Sequence, residues 1–133
     1  MRLWGVPLFL ALAAGCYADT VRGKLVQRPG KPAAVETGAG KLVELDGDKE
    51  TRAVLEDRRL AGFELEAKGR FAAPERFRVD GLHTRAMFVF KDGNARLITY
   101  WCDVCSIRTY TPGICWCCQQ ETTLDLRDPN APL

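Results

Sequence analysis

The sequence contains a single histidine, His83. A histidine-based zinc hydrolase site with an open coordination position needs more than one such ligand, so it cannot be assembled here. A phosphate-cradling glycine loop, a serine–histidine–aspartate set and any cofactor fingerprint are also missing. Charge of one sign is scarce in excess: 19 Lys+Arg against 17 Asp+Glu leave a formal net charge of +2. So weak and mixed a balance argues against nucleic acid or an anionic membrane as the main partner. Internal repeats and low-complexity tracts are absent. With 47% hydrophobic and 27% charged residues, wholesale disorder is excluded. A length of 133 residues leaves room for one compact domain and little more.

The longest apolar stretch is at the N-terminus. Arg2 precedes Leu3-Trp4-Gly5-Val6-Pro7-Leu8-Phe9-Leu10-Ala11-Leu12-Ala13-Ala14, and small residues follow. About 12 to 14 apolar residues fall short of the roughly 20 that a membrane-spanning helix needs. A basic start, a short apolar core and small residues together predict a secretory signal over residues 1–18, and hence an exported chain, periplasmic or secreted. Ala13-Ala14-Gly15-Cys16 resembles the lipobox of bacterial lipoproteins, with Ala13 where leucine is usual. Two processing routes stay open, cleavage after Ala18 or lipidation of Cys16. The second would be the chain's only attachment to a membrane.

The rest predicts short strands and one helix. Residues 21–27 form a strand closed by Arg28-Pro29-Gly30-Lys31-Pro32, and residues 41–45 form a second. A helix is expected over 49–60, capped by Asp48, with Thr51, Val54, Leu55 and Arg58 on one side and Gly62 at its end. Phe63-Glu64-Leu65-Glu66-Ala67-Lys68 alternates strictly, placing Phe63, Leu65 and Ala67 toward a core. Phe77 and Val79 repeat the pattern. Segments 86–90 and 96–101 flank Lys91-Asp92-Gly93-Asn94-Ala95, a hairpin signal because Asp-Gly suits the tight turn.

Three stretches together resemble the OB-fold of small exported bacterial domains. They are Val21-Arg22-Gly23-Lys24-Leu25-Val26, Leu42-Val43-Glu44-Leu45-Asp46-Gly47-Asp48, and Leu60 through Phe71. The resemblance implies a mainly β chain: a five-stranded barrel with one helix over residues 19–84. A hairpin and cysteine-rich extension then occupies 85–127 and a flexible tail 128–133. OB-folds often bind nucleic acid or sugars on one barrel face. Here the outward residues of the fourth strand, Glu64, Glu66 and Lys68, are mixed in sign and unsuited to an oligonucleotide. No catalytic residue set follows from the resemblance.

The cysteines are unevenly spread: five of the six lie between Cys102 and Cys118. Cys102-Asp103-Val104-Cys105 and Cys115-Trp116-Cys117-Cys118 are separated by nine residues. Two pairs with two intervening residues resemble the knuckles of zinc ribbons and rubredoxin-like sites, in which a tight turn aims both sulfurs at one ion. That predicts Cys102, Cys105, Cys115 and Cys118 as ligands, with Cys117 a spare thiol or an alternative ligand. Zinc is the favoured metal; Cu(I) and iron stay open, and so does thiol-redox chemistry. Disulfides without metal stay open too, since an exported chain meets oxidising conditions.

Other polar residues have ordinary readings. His83 is expected to be a polar loop residue, Arg108 and Asp103 solvated knuckle surface, and Glu64 and Glu66 a wet strand face. Tyr100, Trp101, Tyr110 and Trp116 are expected to pack the hairpin against the barrel. The functional expectation is a non-enzymatic exported protein with a structural zinc site, presenting a surface to an envelope protein or small ligand.

Overall fold

A computed structural model describes residues 19–132 of the chain. The signal-like segment 1–18, its alternative cleavage sites and Cys16 lie outside the described residues. The chain is mainly β. Its barrel strands are β1 (Asp19–Val26), β2 (Ala34–Glu36), β3 (Leu42–Asp46), β4 (Glu64–Ala73) and β5 (Arg76–Val79). They follow one another around the barrel as β1-β2-β3-β5-β4, and β4 returns to pair with β1. All pairings are antiparallel except β3 with β5. A closed five-stranded barrel with a helix between β3 and β4 is an OB-like topology.

The alternation read from the sequence sets which side chains enter. Leu65 and Ala67 of β4 and Phe77 and Val79 of β5 are buried, with charged neighbours outside. The barrel end is closed by α1 (Lys49–Leu55), where Thr51, Val54 and Leu55 face inward. The Asp48 side chain accepts from the Thr51 amide at 2.9 Å, satisfying one of the free amides of the first turn. The expected helix over 49–60 is shorter. It stops at Leu55, and a separate 3-10 turn, Arg58–Leu60, follows. Asp57 is the cause: its carboxylate accepts from the Arg59 amide at 3.0 Å and starts the new turn. Leu60 is therefore buried, and Arg58 points to solvent.

Beyond the barrel come α2 (His83–Ala86), a second helix where one was expected, and then β6 (Met87–Lys91) and β7 (Asn94–Cys102). Asp92 and Gly93 join β6 to β7, both at positive φ (52° and 77°), the geometry of the tight hairpin turn. β6 pairs with β4, so the extension continues the barrel's sheet. β8 (Ile107–Thr109) lies beside the end of β7, and β9 (Thr123–Arg127) runs along its other edge. The buried apolar residues form one cluster running from the barrel into Met87, Val89, Ile98 and Tyr100.

Tyr100 fastens the extension to the barrel. Its ring is fully buried, and its hydroxyl donates to Asp57 Oδ2 at 2.9 Å. Arg59 bonds the same carboxylate and donates to the Thr122 carbonyl at 2.8 Å. Burial is the largest influence on Asp57 and alone would raise its pKa. The hydrogen bonds from Arg59 and Tyr100 outweigh it and hold the carboxyl below its ordinary value. A depressed carboxylate stabilises the fold above its unfolded pKa of about 3.9, and that stability is lost as pH falls through the folded value. Tyr100→Phe should cost about 1.5–3 kcal/mol at neutral pH, since the lost bond is to a charged acceptor. The difference from wild type should narrow as the solution is taken from neutral to strongly acidic pH and Asp57 protonates. Urea unfolding of both proteins at the two pH values checks this, and an unchanged difference would count against it.

Candidate metal centre

The two Cys-x-x-Cys segments sit on turns hung from the same strand. Cys102 ends β7, and the chain turns through Asp103, Val104 and Cys105 into β8, with Cys102 facing Ile107 across the pair. Ser106 takes positive φ (52°) to complete the reversal. The second segment is pinched off by a bridge between Ile114 and Glu121. Inside it, the Cys115 amide donates to the Gln120 carbonyl at 2.7 Å, and the Gln119 amide to the Cys115 carbonyl at 2.8 Å. Thr122 anchors the exit through its amide and hydroxyl, both bonded to the Gly113 carbonyl. β9 then begins with Thr123 opposite Trp101. That register brings the second turn back beside Cys102.

The sulfurs of Cys102, Cys105, Cys115 and Cys118 consequently lie within 4.8 Å of one another. Cys102 Sγ and Cys118 Sγ are 3.5 Å apart. Four sulfurs at about 2.3 Å from a central zinc would stand about 3.8 Å from each other, whereas a disulfide needs about 2.05 Å. The four sulfurs are too far apart for disulfides and close enough to hold one metal ion between them. All five described cysteines are free thiols, and disulfide pairing finds no support among the described residues.

Backbone amides complete the site. The Cys105 amide reaches Cys102 Sγ at 3.5 Å. The amides of Cys118 and Cys117 point at the Cys115 sulfur and draw its pKa down to about 7. Cys105 and Cys102 resist ionisation. Cys117's thiol, burial and Cys118 push Cys105 up. On Cys102 the Cys105 amide is the largest influence and lowers the pKa, but burial and the Cys118 and Cys115 thiols together carry it upward. Four thiols gathered this closely cannot all become thiolates without a cation between them. The donor set suits a soft or borderline metal ion.

Cys117 is exposed and stands outside the four, with its sulfur beside Cys105. Two readings of neighbouring residues need correction. Arg108 is not a solvated knuckle residue: it is half-buried, donating to Thr99 Oγ1 at 2.6 Å and Asp125 Oδ2 at 2.7 Å while lying over the Trp101 ring. It ties β7, β8 and β9 together behind the turns. Trp116 does not pack the hairpin on the barrel. It is 77% exposed, and Val104 and Ile114 on the same two loops are similarly open. Tyr100 does pack, as described; Trp101 is half-buried and Tyr110 exposed. Asp103 is exposed, and the His83 ring reaches the Tyr110 carbonyl at 2.9 Å. Glu64 pairs with Arg22 at 2.8 Å.

The Asp57–Arg59–Tyr100 link escapes sequence reading, because nothing local marks a bond over 43 residues. In comparisons with known proteins, no family model, no curated protein and no solved structure matches this chain.

Proposed function

We propose that this is an exported, non-enzymatic protein in which Cys102, Cys105, Cys115 and Cys118 hold one structural zinc ion, and that it serves as a binding or interaction module of the bacterial envelope. The observation carrying this reading is the four-sulfur cage with amide donors at two hairpin tips. A closed four-thiolate site leaves zinc no free coordination position, so the ion would fold the 102–122 region and not activate water. Export is supported by the signal-like N-terminus. A role in docking is supported by Val104, Ile114 and Trp116, which stand out from the turns.

Elemental analysis of protein purified without reductant, with a thiol count, tests the reading. The expected result is about one zinc per chain, with Cys117 readily alkylated and the four ligand thiols protected. Metal-free protein lacking the four ligand thiols would establish disulfides instead. A second reading, thiol-redox or Cu(I) handling, is favoured by the exposed Cys117 thiol beside Cys105. It requires that Cys117→Ser abolish Cu(I) binding or thiol exchange while zinc content stays unchanged.

A further inference from the structure

A cleft of ≈ 860 Å³ opens between the β1–β2 loop and the α1 segment, sharing no residue with the cysteine site. That volume falls within the range of small-molecule sites. Its floor is apolar: Ala33, Leu45 and Leu55 are buried side chains that meet there. Its mouth is cationic. Arg28 and Asp46 are already engaged, by Glu44 at 3.1 Å and Arg78 at 3.3 Å. Lys31, Arg52 and Arg58 take part in no ion pair among the described residues, and Glu56 is the one unpaired acid on the lining.

The walls are held in place before anything binds. Gln27 Nε2 donates to the Leu55 carbonyl at 2.9 Å and to the Asp57 carbonyl at 2.7 Å, stapling the loop to the end of α1. The Leu45 amide bonds the Ala33 carbonyl at 2.8 Å, and Pro29 and Pro32 restrict the loop between them. A preformed cleft loses little conformational entropy on binding. No aromatic ring lines it, so it offers nothing for a nucleobase to stack on.

We propose that this cleft binds a small amphiphilic anion: an apolar body seated against Pro29, Pro32 and Ala61 above the buried Leu45 and Leu55, with a carboxylate or phosphate head among Lys31, Arg52 and Arg58. The proposal does not rest on the metal site. Calorimetric titration of the whole protein with decanoate, decyl phosphate, decanol and decyltrimethylammonium tests it. The two anions should bind one to one and the cation should not; decanoate binding more tightly would indicate a free acyl carboxylate, decyl phosphate a lipid-type head. Arg52→Glu with Arg58→Glu, both on exposed side chains, should weaken the anions by at least about tenfold while leaving metal content unchanged. Ala61→Trp, which adds bulk at an exposed lining position, should abolish binding of every probe. Absence of saturable anion binding, equal binding of the cation, or unchanged binding in both variants would each overturn the proposal.

Discussion

Replacing Cys115 by serine should lower zinc affinity by more than about a hundredfold, whereas Cys117→Ser should change it by about twofold at most. The lower bound follows because groups that merely support a ligand already cost up to about a hundredfold when removed. Cys115 is a buried thiol whose pKa two backbone amides draw down to about 7, so it readily supplies a thiolate. A serine hydroxyl at neutral pH supplies no comparable charge to the ion. Cys117, one residue from Cys118 on an exposed loop, lies outside the cage. Competition against a chromogenic chelator measures both variants. Equal losses would make Cys117 a ligand; no loss in either would remove the four-thiolate assignment.

The same geometry predicts where the loss is felt. Residues 102–122 hold few buried side chains apart from Cys102, Cys115 and Thr122. Without the ion, the two cysteine turns rest on a few amide bonds and the Ile114–Glu121 bridge, while β8 and Thr122 stay tied to β7, β9 and Arg59. The barrel has a closed strand order and an apolar cluster, shared with β6 and β7, that includes no residue of 102–122. Chelation should therefore raise amide exchange across 102–122 and move Trp116 and Trp101 fluorescence, while barrel amides stay protected.

How much of this was legible in the sequence depends on the range over which each signal acts. The β4 alternation, the Asp92–Gly93 turn, the Asp48 cap and the paired cysteine spacing are all settled within a few residues. Each appears in the structure where its local chemistry places it. β2 is only three residues, too short to show a period, and exists because β1 and β3 flank it. The premature end of α1 depends on Asp57, whose carboxylate is held by Tyr100 from 43 residues away. β9 is different. Its Leu124 and Leu126 alternate with Thr123, Asp125 and Arg127, a readable signal, but its partner is the far edge of β7. Trp116 is exposed because the turn that brings Cys115 and Cys118 toward Cys102 carries it outward, although an aromatic residue beside cysteines reads as core.

Gly69→Ala should cost at least about 3 kcal/mol, at the upper end of what overpacking normally imposes. Gly69 sits in β4 between Asp19 of β1 and Val79 of β5, where barrel strands approach closely. A methyl group there would stand 1.9 Å from the Arg78 carbonyl oxygen and 2.9 Å from its carbon. Both are backbone atoms, so no side chain can rotate aside. β5 cannot retreat freely either, because its opposite edge is paired with β3, and opening that pairing would break the barrel's closure. Gly38 gives the matched control: an added methyl meets nothing within 4 Å. Gly38→Ala should hold or gain up to about 1 kcal/mol through the smaller entropy of the unfolded chain. Urea unfolding followed by circular dichroism separates the two. A Gly69→Ala protein within about 0.5 kcal/mol of wild type would mean that β4 and β5 do not close the barrel at this contact.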